Sequence, residues 1–114
     1  MLISESRDMD VFIFTLKGRL DAVTASKLED RFYFMFDNGE KKFLLDLSGI
    51  DYISSNGIRA FLIIERKIAA SGGNIAFCSV QPRVFEVFKM TKLDGFFKFY
   101  DNQRTAVSAL NCLK

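Results

Sequence analysis

Histidine is absent from the 114-residue sequence, and this absence excludes several kinds of functional site. A Ser-His-Asp or Cys-His nucleophile pair needs an imidazole as its base, and a histidine-ligated metal site needs one as a ligand. Cysteine is scarce, since only Cys78 and Cys112 are present, too few for a disulfide scaffold or a thiol-based metal site. We therefore expect both cysteines to be buried or incidental thiols in a reducing compartment. We expect no catalytic residues, no metal and no other cofactor.

Strong charge of one sign and long apolar runs are also lacking. Sixteen Lys and Arg residues against fourteen Asp and Glu residues give a formal net charge of +2, and the basic residues are spread along the chain. A nucleic-acid-binding domain clusters its basic residues on one face, so we expect no nucleic-acid partner. The longest apolar run covers only residues 60–64, whereas a membrane helix needs about twenty residues. The first ten residues lack the features of a secretory signal, so we expect no membrane insertion and a cytoplasmic location.

Phenylalanine is abundant, with 13 residues, and tryptophan is absent. Hydrophobic residues make up 49% and charged residues 26%, which is the balance of a folded globular protein. The length fits one domain over residues 1–114. We expect most of the phenylalanines in the core, with Phe34 a candidate for exposure at a binding face.

Strand and helix patterns alternate along most of the chain. Alternating and β-branched residues predict an opening hairpin of strands at 2–6 and 11–16, the second ended by Gly18. Helical spacing and end signals predict the helices, and short apolar runs predict the remaining strands. The helices are expected from residue 21 or 24 to 38, at 58–71, from residue 81 onward and from 101 or 102 to 113. The strands are expected at 43–47, 74–80 and 96–100. The order β-β-α-β-α-β-α-β-α predicts an α/β fold in which a mixed sheet packs against helices.

The strongest local feature runs from Asp46 to Gly57, where Ser48-Gly49 is expected to end a buried strand. Functional groups of open α/β sheets gather at the carboxyl ends of strands. Ser54 and Ser55 have two interpretations there. One of them can simply be the helix N-cap, which is worth about 1 kcal/mol. Alternatively, a hydroxyl at this point is a well-tolerated phosphorylation site, because free N–H groups and the helix dipole stabilise a phosphate.

Two nearby positions add to this segment. Gly57 in the first helical turn costs up to about 1 kcal/mol relative to alanine, which indicates a close approach to the backbone by a neighbouring strand or by a partner protein. Asp21, in the segment Gly18-Arg19-Leu20-Asp21, is either a helix cap or a residue that flanks a phosphoacceptor serine. Asp46 in a strand and Asp51 in a loop do not favour a pair of catalytic carboxylates.

In this order of elements, the motifs resemble those of the STAS family, and more narrowly of the bacterial anti-sigma factor antagonists. Gly18-Arg19-Leu20-Asp21 is similar to the family pattern G-x-[LI]-D. The segment 45–59 is similar to the family's hydrophobic strand, its D-L-S motif and its serine-x-glycine helix start. A third matching segment begins at Gly72-Gly73-Asn74, so the resemblance covers nearly the whole chain and implies the STAS fold.

The resemblance also implies a function and a site. In that family the unphosphorylated antagonist binds an anti-sigma factor, which is an ATP-dependent serine kinase, and a sigma factor is released to act in transcription. The kinase phosphorylates the antagonist at the start of the second helix, the complex dissociates, and a PP2C-type phosphatase reverses the modification. By position the phosphoacceptor is Ser55, with Ser54 as the alternative. The implied partner-binding residues are Asp21, Ser54, Ser55, Asn56, Gly57 and Arg59.

Two departures from well-studied members keep an alternative open. Those members have Asp at the position of Ser54, and Ser or Thr at the position of Asn56. The phosphorylated hydroxyl is therefore open between Ser55 and Ser54, as is the existence of a kinase. Because STAS domains also serve without phosphorylation, the alternative prediction is a scaffold subunit of a transporter or sensory complex.

Overall fold

A turn at Met9 and Asp10 reverses the chain and pairs the first two strands side by side. The computed structural model describes residues 2–113, and its elements follow the predicted order. The elements are β1 (Leu2–Asp8), β2 (Val11–Leu20), α1 (Ala22–Asp37), β3 (Lys42–Ile53), α2 (Ser55–Ala70), β4 (Asn74–Cys78), α3 (Pro82–Met90), β5 (Phe99–Tyr100) and α4 (Gln103–Asn111).

The five strands form one sheet in the order β1-β2-β3-β4-β5. Strand β1 is antiparallel to β2, and the other neighbours are parallel. The predicted mixed sheet is therefore confirmed. Its parallel part brings the carboxyl ends of β2 and β3 to the same edge, which is where α1 and α2 begin.

Helices cover the two faces of the sheet unequally. Helices α1, α2 and α3 pack their apolar residues onto the first face, for example Leu28, Phe61 and Phe88. The second face is covered by α4 alone, through Ala106, Val107 and Leu110. Their partners on the sheet are Val11, Ile13, Leu44, Ala76 and Cys78.

Most phenylalanines are in the core, as predicted. The ring of Phe77 lies with its centroid 5.0 Å from that of Phe61, 6.0 Å from that of Phe88 and 4.9 Å from that of Phe97. Such contacts add specific ring geometry to the burial of apolar area. Phe34 is exposed, and its role at a binding face stays a prediction.

Two strands extend past the glycines that were expected to end them. Strand β2 continues through Gly18, which has a φ of 111°, and β3 continues through Ser48 and Gly49 to Ile53. The pairing of β2 with β3 shifts register between Thr15 and Lys17 and again after Gly18. A Cβ on Gly49 would lie 2.9 Å from the Leu16 carbonyl oxygen, so glycine here permits an irregular pairing and does not end the strand. Asp51, expected in a loop, consequently lies in β3.

Other boundaries also differ from the expectation. Strand β4 ends at Cys78 because Ser79 takes a φ of 57°. Strand β5 is shorter than expected, since the N–H groups of Phe96 and Phe97 both donate to the Leu93 carbonyl in a turn. Helix α2 begins three residues earlier than expected, at Ser55. Helix α4 ends at Asn111 instead of reaching residue 113.

Candidate functional site at the carboxyl edge of the sheet

The last residues of β2 and β3 pair with each other and set the position of the site. Leu20 lies beside Ile53, and the Ser54 N–H donates a hydrogen bond of 2.9 Å to the Leu20 carbonyl. The segments that begin with Asp21 and Ser54 therefore leave the sheet side by side. The structure thus brings together the two motifs of the sequence, residues 18–21 and 46–57.

Asp21 is the N-cap of α1 and forms a capping box with Thr24. Its carboxylate accepts a hydrogen bond from the Thr24 N–H at 3.1 Å, and its own N–H donates to the Thr24 hydroxyl at 2.8 Å. The backbone and side-chain bonds from Thr24 lower the pKa of Asp21 below its usual value, and the positive charge of Arg19 adds to that effect. Asp21 is thus an ionised, partly exposed group at the edge that also holds the start of α1.

The two serines have different environments. Ser54 is the N-cap of α2, half-buried, and its hydroxyl oxygen accepts a hydrogen bond of 3.3 Å from the Gly57 N–H. Ser55 is the first helical residue, and its side chain is exposed. Within residues 2–113 the Ser55 hydroxyl forms no hydrogen bond. Asn56 beside it is exposed as well.

Gly57 lies beneath these residues and is buried. A Cβ at this position would lie 2.7 Å from Cγ1 of Ile53 and 3.0 Å from Cγ of Leu20. The close approach that the sequence indicated therefore comes from the two neighbouring strands. The absence of a side chain lets the first turn of α2 sit directly on the ends of β2 and β3.

Arg59 is exposed one helical turn after Ser55. It lines a groove of about 210 Å³ between α1 and α2, together with Asn56 and Glu29. Among the described side chains, Arg59 and Glu29 do not approach closely enough to form an ion pair. The groove continues the exposed surface from Ser55 along the two helices.

Three further exposed residues at this edge were not among the predicted site residues. Val23 is 66% exposed and Tyr52 is 41% exposed. The guanidinium carbon of Arg19 lies 4.0 Å from the centroid of the Tyr52 ring. The side chains of Arg19 and Tyr52 meet because the two residues pair across β2 and β3. The pairing register of β2 with β3 is the signal that would have identified Arg19 and Tyr52.

Asp46 has a structural role in the fold. It is buried, and its carboxylate accepts hydrogen bonds of 2.9 Å from the Ser48 N–H and 2.9 Å from the Gln103 side-chain amide. The second of these bonds ties the start of α4 to β3. Burial and the nearby Asp46 raise the pKa of Cys78 to about 11.

Two kinds of site are not found in the described part of the chain. Among residues 2–113, no three Cys, Asp or Glu side chains are grouped so that they could hold a metal ion. None of the helices described between Leu2 and Leu113 has the length and apolar character needed to span a membrane.

Comparisons with known proteins agree on one family. A model of the STAS domain matches residues 4–106. BtrV of Bordetella bronchiseptica, which is named as an anti-sigma factor antagonist, is 30% identical over 99 residues, covering 87% of this chain and 85% of BtrV.

Solved structures share the fold over nearly the whole chain. A Thermotoga maritima protein named as an anti-sigma factor antagonist has a TM-score of 0.91 at 25% identity, covering 96% of this chain and 94% of its own. The anti-sigma factor antagonist SpoIIAA in its unphosphorylated form has a TM-score of 0.85 at 15% identity, covering 99% of each chain. A sulfate transporter family protein of Wolinella succinogenes also has this fold, with a TM-score of 0.75 at 15% identity over 92% of this chain and 88% of its own.

Proposed function

Because the chain belongs to the STAS domain family, and its relatives are named as anti-sigma factor antagonists, we propose that it is a phosphorylation-switched protein-binding module. In its unphosphorylated form it binds an anti-sigma factor that is a serine kinase, and a sigma factor is released to act in transcription. The kinase phosphorylates Ser55 and the complex dissociates. A PP2C-type phosphatase then restores the binding form.

The observation that carries the proposal is the exposed hydroxyl of Ser55 beside the hydrogen-bonded hydroxyl of Ser54. A kinase must reach the acceptor oxygen from solvent and position it for transfer. Ser55 can be reached without breaking a hydrogen bond of the fold, whereas phosphorylation of Ser54 would change the hydroxyl oxygen that caps α2 into an ester oxygen. This difference favours Ser55 over Ser54 as the acceptor.

The electrostatics of the helix start support the same assignment. A phosphate on Ser55 would meet the free N–H groups of the first turn and the positive end of the α2 dipole. It would add about −1.5 to −2 charges at pH 7, against a formal net charge of +2. A partner surface that covers Ser55 would then have to desolvate a dianion. The fold therefore tolerates the modification while the complex does not.

The proposed role needs no catalytic base in this chain. The kinase supplies the groups that activate the serine hydroxyl, and the phosphatase supplies those that remove the phosphate. The sequence contains no histidine, and the edge offers a helix start and an exposed surface in place of a paired nucleophile and base. We therefore propose a binding module and substrate, not an enzyme.

The phosphorylation site is tested on protein purified from its native cells. We expect an intact mass with one added phosphate in part of the population, and peptide mapping that places the phosphate on Ser55. The Ser55→Ala variant should lose the added mass, and Ser54→Ala should keep it. A phosphate found on neither serine under any growth condition would contradict the proposal.

Partner binding is tested with the kinase that co-purifies with the tagged protein and is identified by mass spectrometry. Ser55→Asp should weaken the binding of this kinase, while Ser55→Ala should bind and resist release when ATP is added. Equal affinity of the wild type and both variants would count against a switch at Ser55. Recovery of transporter subunits without any kinase would favour the scaffold alternative.

A further inference from the structure

The second face of the sheet is only partly covered. Helix α4 has 9 residues and packs onto the amino-terminal parts of β2 and β3, through residues such as Val11 and Leu44. Towards the carboxyl ends of β2 and β3, the side chains that point to the second face are exposed. We call them the open sheet face, and they are Leu2, Lys17, Arg19 and Tyr52.

The direction of these side chains follows from their neighbours. Leu20 and Ile53 point to the first face, where they contact the position of Gly57. Because successive side chains of a strand point to opposite faces, Arg19 and Tyr52 point to the second face. Their contact with each other across β2 and β3 agrees with this direction.

Arg19 and Tyr52 form an ordered pair, and the carboxylate on which the Arg19 charge acts, that of Asp21, is held by the Thr24 N–H. The guanidinium stacks over the ring at 4.0 Å, and Arg19 takes part in no salt bridge within residues 2–113. A stacked guanidinium keeps its N–H edges free for a carboxylate. Arginine and tyrosine are also the residue types enriched at the energetic centres of protein interfaces. The pair is therefore already arranged to receive an acidic side chain.

The open sheet face is continuous with the Ser55 surface. Tyr52 precedes Ser55 by three residues, which corresponds to about 10 Å along an extended chain. A stable interface covers about 800 Å² on each partner, so a partner centred on Ser55 reaches well past Tyr52. The charged side chains of the open sheet face itself, Lys17 and Arg19, are both basic, whereas the acids beside it are Asp21 at the start of α1 and Asp51 in β3. The sheet face is therefore complementary to negative charge.

We propose that the open sheet face is a second part of the docking surface and binds an acidic segment of the partner, with Arg19 and Tyr52 as the anchor. The identity of that partner, an anti-sigma factor kinase, rests on the proposed function. A partner carboxylate bonds to the free edge of the Arg19 guanidinium, and apolar side chains beside it cover Tyr52 and Leu2. The docking surface thus extends from the start of α2 around the edge onto the sheet.

The first test measures kinase binding by calorimetry with Arg19→Glu and Tyr52→Ala. Both variants should raise the Kd about tenfold or more, as expected for anchor residues. Lys67→Ala is the matched control, because Lys67 also lies over a tyrosine ring, that of Tyr33, at 5.9 Å. It should leave the Kd within about twofold, a level typical of residues outside the anchor. All three variants should keep the Tm of the wild type, since the replaced side chains are exposed.

The result that overturns the inference is distinct from a failure of the proposed function. If Ser55→Asp weakens kinase binding but Arg19→Glu and Tyr52→Ala do not, the docking surface does not include the sheet face and the switch at Ser55 remains. If the wild type binds no kinase, the proposed function fails, and a second measurement decides on the sheet face.

The second measurement uses the free protein and an acetylated hexaglutamate peptide as the probe. Titration followed by amide NMR should shift residues 17–20 and 50–53 in the wild type and in Lys67→Ala. The same titration should leave these amides unshifted in Arg19→Glu. Shifts centred on another surface, or none at millimolar peptide, would contradict an acid-binding sheet face whatever the outcome with the kinase.

Discussion

The adjacent serines Ser54 and Ser55 have different roles at the start of α2. The Ser54 hydroxyl satisfies a backbone N–H of the first turn, and the Ser55 hydroxyl extends into solvent. Ser54→Ala should therefore lower the free energy of unfolding by about 1 kcal/mol, the usual value of an N-cap. Ser55→Ala should change it by less than about 0.5 kcal/mol, as for other exposed substitutions.

Urea denaturation of the two variants checks this difference. Both should keep the m-value of the wild type, because neither replacement changes the surface exposed on unfolding. Equal destabilisation by the two replacements would show that both hydroxyls contribute to the cap, which would contradict the assignment of the capping role to Ser54.

Asp21 gives a pH dependence whose sign can be worked out. Its pKa is lowered in the fold from the usual value of 3.8, mainly by the bonds from Thr24. A lowered pKa means that the ionised form stabilises the fold above pH 3.8, and that this contribution is lost as the pH falls through the lowered value. Asn is also a good N-cap but does not titrate. The difference in the free energy of unfolding between the wild type and Asp21→Asn should therefore decrease as the pH falls below 3.8.

Denaturation of both proteins at pH 7 and at pH 3 measures this effect. At each pH the free energy of unfolding of Asp21→Asn is subtracted from that of the wild type. This subtraction cancels the contributions of the other carboxylates, which both proteins share. An advantage that stays constant or grows on acidification would contradict the role of the ionised Asp21 in the capping box.

At the scale of secondary-structure elements, α2 sits on the strand ends because Gly57 has no side chain. Gly57→Ala would gain up to about 1 kcal/mol in helix propensity. The added methyl group, however, would lie 2.7 Å from Ile53 Cγ1 and 3.0 Å from Leu20, and overpacking costs about 1–3 kcal/mol. We expect a net loss of stability and a shift of the Ser55 segment.

The control for this change is Gly95→Ala, where a Cβ would meet nothing within 4 Å. Thermal unfolding should show a lower Tm for Gly57→Ala and an unchanged Tm for Gly95→Ala. A stabilised Gly57→Ala variant would mean that the helix start moves away from the strands at little cost.

The order of the elements followed from local patterns, but the carboxyl ends of β2 and β3 did not. Alternation in 11–16 and the apolar run 43–47 are local signals, and they predicted the amino ends of β2 and β3 to within one residue. Gly18 and Gly49 were misread because one sequence does not separate a glycine that ends a strand from one that permits an irregular pairing. Only the register between β2 and β3 makes that distinction.

The same limit applies to the candidate site. The segment 54–57 carries its own signals, a helix cap and a glycine where glycine is unfavourable, so the sequence could locate it. Arg19 and Tyr52 lie more than thirty positions apart in the chain, and they meet through parallel pairing of strands that a helix separates. Their contact is a tertiary feature and was therefore missed.

At the scale of the whole molecule, a small net charge makes one phosphate a large electrostatic change. The formal charge of +2 would fall to about zero with a phosphate of −1.5 to −2 charges. Salt screens exposed charges over about 8–10 Å. The added charge therefore acts mainly on the carboxyl edge and on any partner seated there, and not on the packing of the sheet.

The phosphorylated protein should consequently keep its fold and its stability. We expect protein with phosphoserine installed at position 55 to show a Tm equal to or slightly above that of the unmodified protein, because the phosphate sits at the positive end of α2. Amide NMR shifts should be confined to the starts of α1 and α2 and the end of β3. A lower Tm, or shifts that reach β4 and α4, would mean that the modification loosens the fold, and the switch would then act by partial unfolding instead of by charge at a docking surface.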